Sequence, residues 1–154
     1  MKLQKIYLKN YRNYDDILLE LNNNLNIAAL TAKNRCYDNT ASYLYNLNII
    51  IGDNAQGKIN LLESIYVLAV TKSFLSISDK NLINFNSRYS MIKGIVDYNG
   101  SYDELELLIN ENGKVVKINK KEIKKLSDYI SKMNVILFSS DSIRIFKDSP
   151  SCRR

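Results

Sequence analysis

Residues 51–66, IGDNAQGKINLLESIY, contain the spacing with the clearest chemical meaning. Gly52 and Gly57 enclose Asp53, Asn54, Ala55 and Gln56, and Lys58 follows, giving the G-x-x-x-x-G-K order of a phosphate-binding loop. The glycines permit backbone angles that side chains forbid, so successive N–H groups can point inward around anionic oxygens. A helix starting near Lys58 would add the positive end of its dipole, and Lys58 would reach the β- and γ-phosphates as a point charge. The next position ordinarily offers a Ser or Thr hydroxyl to Mg²⁺; here it is Ile59, which keeps the β-branch and lacks the oxygen. Mg²⁺ demands close oxygen ligands, and Asn60 is rotated away from that direction by the helix. The expectation is a nucleotide-phosphate site with Mg²⁺ binding compromised at Ile59. No catalytic residue and no metal ligand are assigned.

The elements that must position this loop can be read from periodicity. Lys2–Asn10 alternates with period two and includes β-branched and aromatic residues, so it reads as a strand. NYRNYDD turns the chain into a second strand, Ile17–Leu21, ended by NNN. LNI occurs at Leu25–Ile27 and again at Leu47–Ile49. Removing one copy and everything between joins LELNNNLNI to IIGDNAQGK, a strand of ordinary length running into the loop. Residues 28–48 therefore read as an insertion, with a short helix over Thr40–Leu47 as the alternative. From Asn60, the positions Leu61, Leu62, Ile65, Tyr66, Leu68 and Ala69 follow helical spacing. Downstream, SMIKGIVDY and DELELLIN read as strands, Asn112-Gly113 as a hairpin turn and KVVKIN as its return. KKEIKKLSDYISKM has a helical pattern with Ile123, Leu126 and Ile130 on one face, and NVILF reads as a buried strand.

The 154 residues are enough for one domain with a core, and 45% hydrophobic with 25% charged residues is ordinary for a globular chain. A formal charge of +6 is compatible with nucleic acid without requiring it. No run approaches a membrane span, and the N-terminus lacks the apolar core of a signal peptide. With no histidine, zinc sites and His-based triads are set aside. Cys36 and Cys152 have no CxxC partner, which fits reduced thiols and a cytoplasmic location.

Taken together, LKNYRNYDD, IGDNAQGKINLLESIY, TKSF with SDKNLI, KINKKEIKKLSDYI and NVILFS closely resemble the N-terminal part of the RecF family. These are bacterial recombination proteins of the ABC/SMC-like ATPase group. The resemblance implies an α/β P-loop lobe, with a mixed sheet around the loop helix and a β-hairpin sub-region, over residues 1–154. It implies ATP at Gly52–Asn60, with Arg12 and Asn13 of the early NYRNY segment approaching the nucleotide. It further implies ATP-dependent homodimers, DNA near single-strand gaps, and the partners RecR and RecO in loading RecA. Several positions depart from the family: Ile59, Leu75 in place of a basic residue, Ser140 and Ser142 around Asp141, and Cys152 in place of Glu. The later signature segment and acidic strand motif are not in this sequence, so hydrolysis is expected to be lost.

Two other readings stay beside that one. The first is a remnant that binds DNA or a partner without nucleotide turnover; the second is an unrelated small P-loop NTPase. Lysines 117, 120, 121, 124 and 125 could follow a phosphate backbone or form a solvated face. Asp103, Glu104 and Glu106 read as a solvated strand face, and the eleven tyrosines reflect strand preference rather than base stacking.

Overall fold

The computed structural model describes residues 1–21, 26–30, 48–75 and 78–138. The suggested helix at Thr40–Leu47, both cysteines, and the tail with Ser140, Asp141 and Ser142 lie outside them.

Alternation builds the first hairpin. In β1 (Lys2–Tyr11) Ile6 and Leu8 are fully buried, and in β2 (Tyr14–Glu20) Ile17 and Leu19 face them across the antiparallel register Ile6↔Leu19 and Leu8↔Ile17. β1 then pairs on its other edge with β5 (Tyr89–Tyr98), which runs into β6 (Ser101–Asn110), β7 (Gly113–Ile118) and the two-residue β8 (Lys121–Glu122). The result is a six-stranded antiparallel sheet in the order β2-β1-β5-β6-β7-β8. The parallel component of the expected mixed sheet is a separate pair, β3 (Asn26–Leu30) beside β4 (Asn48–Gly52). Between β4 and β5 lies α1 (Lys58–Val70), which packs on the sheet through Leu61, Val67, Leu68 and Ala69. Gly94 on β5 allows this approach, because a Cβ there would collide with Leu68 Cδ2. The helix differs from its apolar pattern at two places. Leu62 is exposed, whereas Glu63 and Ser64 are buried, since 63 and 67 lie four apart on the face that meets the sheet.

The turns explain two corrections. Asn99-Gly100, with φ 56° and 97°, has the angles of a type I′ turn between β5 and β6. The β6–β7 hairpin forms as expected, but its loop is Glu111-Asn112: Gly113 pairs with Asn110, whose Oδ1 accepts the Asn112 N–H. The expected helix over 120–133 is shortened to α2 (Leu126–Ile130). Asn119 and Lys120 both take positive φ, and the Asn119 side chain bonds Glu104 N and Asp103, so the chain reverses into β8 instead. Tyr129 and Met133 are the residues buried there, while Leu126 and Ile130 stay exposed.

NVILF does not form a strand in this chain: Ile136 and Phe138 are 84% and 83% exposed. The antiparallel sheet already ends at β8, and no described strand lies beside 134–138 to supply hydrogen bonds. Glu106 also departs from the solvated-face reading. It stands directly between Lys93 of β5 and Lys117 of β7, at 2.8 and 3.0 Å, with only 13% of its side chain exposed. Among the described residues no helix is long and apolar enough to cross a membrane.

Candidate nucleotide-binding site

β4 delivers the chain to Gly52, and the loop then turns through Ala55 at φ 66° and Gly57 at φ 95° before α1 begins at Lys58. Gly57 is where glycine is required twice over. Its backbone is left-handed, and a Cβ would come within 2.5 Å of Asn13 Nδ2 and 3.0 Å of Tyr14 Oη. The first amides of α1 have no intrahelical acceptor, and no acidic residue occupies that turn, which leaves the helix start favourable to an anion. Lys58 Nζ lies across the loop, donating to the carbonyl oxygens of Gly52 and Asp53 at 2.6 Å each. These donors fit a polyphosphate. They do not fit Mg²⁺ equally well, because Ile59, at the place of the usual hydroxyl, is 60% exposed and offers no oxygen.

The β1–β2 turn closes over the loop from the other side. Asn13 Nδ2 donates to Gln56 O at 3.4 Å, and Tyr14 Oη donates to Gly57 O at 3.1 Å. Arg12, expected alongside Asn13, points elsewhere: its Nε and Nη2 donate to the two oxygens of Glu63, both at 2.8 Å. Glu63 is fully buried and also accepts from Tyr11 Oη at 2.9 Å and Ser73 Oγ at 2.5 Å. Burial alone would raise its carboxyl, but hydrogen bonds from Arg12, Ser73 and Tyr11 outweigh that and hold it below the ordinary range. Burial and the neighbouring Glu63 charge push Tyr11 far upward, and the Glu63 hydrogen bond raises Arg12. Sequence reasoning missed Glu63, Ser73, Tyr11 and Tyr14. The available signal was a carboxylate four residues before Val67 on an otherwise apolar helix face.

Beside Arg12, Asn13 and Asn60 opens a groove of about 860 Å³, continued by Lys80, Asn84 and Arg88. Of the lysines singled out, Lys117 is paired with Glu106, and Lys120, Lys121, Lys124 and Lys125 follow the β7–β8 reversal rather than a helix.

A parallel strand, a glycine-rich loop with its lysine, and a helix, backed by an antiparallel sheet, define an ABC/SMC-like P-loop ATPase lobe. The fold is that of the SMC head domain from Thermotoga maritima, with a TM-score of 0.61 at 15% identity over 87% of this chain and 43% of that one. The particular family that the chain resembles is RecF. It is 41% identical over all 154 residues to the DNA replication and repair protein RecF of Staphylococcus haemolyticus strain JCSC1435. A solved structure of the recombination mediator protein RecF-ATP in the RecFOR pathway matches with a TM-score of 0.71 and 28% identity, over 98% of this chain and 35% of that one. The chain spans 36% of the length of the curated relative it matches. No family model matches the sequence.

Proposed function

We propose that this chain is the nucleotide-binding lobe of a RecF-type DNA replication and repair protein, one that holds ATP without hydrolysing it. The observation that carries the reading is the loop itself. Lys58 and the opening amides of α1 surround a turn shaped for phosphate, and Asn13 and Tyr14 brace it, in a chain of RecF type. Gly52–Asn60 and Asn13 would hold the nucleotide, and Arg12 would act from behind through Glu63. DNA at single-strand gaps, RecR and RecO, an ATP-dependent homodimer and a cytoplasmic location come with the family reading. Residues 28–48 are read as an insertion; the parallel register Asn26↔Asn48 and Ile27↔Ile49, which sets one LNI copy beside the other, supports this.

A second reading, a DNA- or partner-binding lobe indifferent to nucleotide, is favoured by the missing hydroxyl at Ile59. A fluorescent ATP analogue titrated with and without Mg²⁺ separates the two. The chain is expected to bind it with an affinity that Mg²⁺ changes little, and Ile59→Thr to bind more tightly only when Mg²⁺ is present. Absence of binding in both would defeat the nucleotide reading and leave the second.

A further inference from the structure

Among the described residues, the most heavily bonded ionised group is not in the phosphate loop but behind it. Glu63 sits five residues beyond Lys58, on the inner face of α1, with no exposure to solvent. Burying a carboxylate is costly unless its oxygens are satisfied, and here both are: Oε1 accepts from Arg12 Nη2 and Ser73 Oγ, Oε2 from Arg12 Nε and Tyr11 Oη. A leucine at this place would fill the same helix face without that cost, so packing gives no reason for the charge.

What the charge reaches is a turn under backbone strain. Arg12 lies at φ 53°, a left-handed conformation that a non-glycine residue keeps only when its surroundings impose it. The stem of the turn is tied by Arg12 N to Leu82 O and by Asn84 N to Asn10 O. The side chain of Arg12, fixed by the two-toothed contact with Glu63, holds the tip. The next two residues, Asn13 and Tyr14, are the ones that bond the loop at Gln56, Gly57 and Asn60. On its other side Glu63 holds Ser73, whose Oγ accepts the Leu75 N–H and so orders the chain that leaves α1.

We infer that Glu63 is the positioning residue of the nucleotide site, gripping Arg12 so that the β1–β2 turn latches the phosphate loop and linking that latch through Ser73 to the segment after α1. This rests on the nucleotide reading above for its purpose, but not for its test. Amide hydrogen exchange is measured on the ligand-free chain and on Glu63→Gln, comparing residues 52–62 with the β6–β7 hairpin, residues 101–118. Exchange over 52–62 is expected to quicken at least about fivefold more than exchange over the hairpin, the low end for coupling between sites, the hairpin's own change reporting the loss of global stability. A role in stability alone would speed both segments by the same factor. That result, or no change in either, overturns the inference. If Glu63→Gln does not fold, Arg12→Lys, which keeps the charge and loses the fork, is read by the same comparison. The ATP analogue then separates the two ideas. A parent chain that binds none defeats the nucleotide reading and leaves the latch to the exchange result. A parent that binds, with both variants binding equally well, defeats the latch.

Discussion

An ionised carboxylate with no water around it makes stability depend on pH in a definite direction. The folded pKa of Glu63 lies below the ordinary glutamate value of 4.5, so as pH falls the unfolded chain takes up the proton first. Its contribution is therefore complete above about pH 5 and is lost progressively below the ordinary value, until the folded carboxyl itself titrates. Glu106, where hydrogen bonds from Lys93 and Lys117 overcome the opposing effect of burial, acts in the same direction. Urea midpoints should show Glu63→Gln destabilising by about 1–3 kcal/mol near neutral pH, the scale of a charged hydrogen-bonding partner left unmatched. The gap to the parent chain should narrow as pH drops below 4.5; a gap that stays constant would mean Glu63 does not titrate as described. The same residue marks the limit of what could be read in advance. Gly52, Gly57 and Lys58 announce themselves by spacing, because the backbone geometry of a phosphate nest leaves few alternatives. Glu63 is defined by partners up to 52 residues away, and its one local sign, a place four residues before Val67 on the apolar helix face, names none of them.

The elements divide along the same line. Strands β1, β5 and β6 were legible because alternation is imposed locally, by a sheet with one face against α1. The reach of α2 was not, because the reversal at Asn119-Lys120 is made by two non-glycine residues at positive φ, pinned by bonds to β6. NVILF carries a strand's composition, but composition cannot supply the neighbouring strand. The closeness of α1 to the sheet also turns on something spacing does not reveal, the absence of a side chain at Gly94. Gly94→Ala is expected to cost about 1–3 kcal/mol, as overpacking does, read as a lowered urea midpoint with an unchanged slope. If Leu68 can move aside without loss, the midpoint will not shift.

At the scale of the whole molecule, the apolar side chains of Ile136 and Phe138 stand in solvent and contribute little to holding the fold. Replacing both with serine should leave the melting transition within about 0.5 kcal/mol of the parent, as surface changes usually do. It should also reduce concentration-dependent light scattering. A clear loss of stability would mean that these side chains pack on the body of the protein in solution. The strand order β2-β1-β5 has another consequence, for the time course of synthesis. Lys2 pairs with Asp97, so the N-terminal hairpin has no neighbour on that edge until β5 has been made. At about 5–20 residues per second, a ribosome spends roughly 4–15 seconds between Glu20 and Asp97. Through that interval the β1 edge, with Ile6 and Leu8, is open to any other strand it meets. The nascent chain is thus most vulnerable early, before the sheet that will later shield those residues exists.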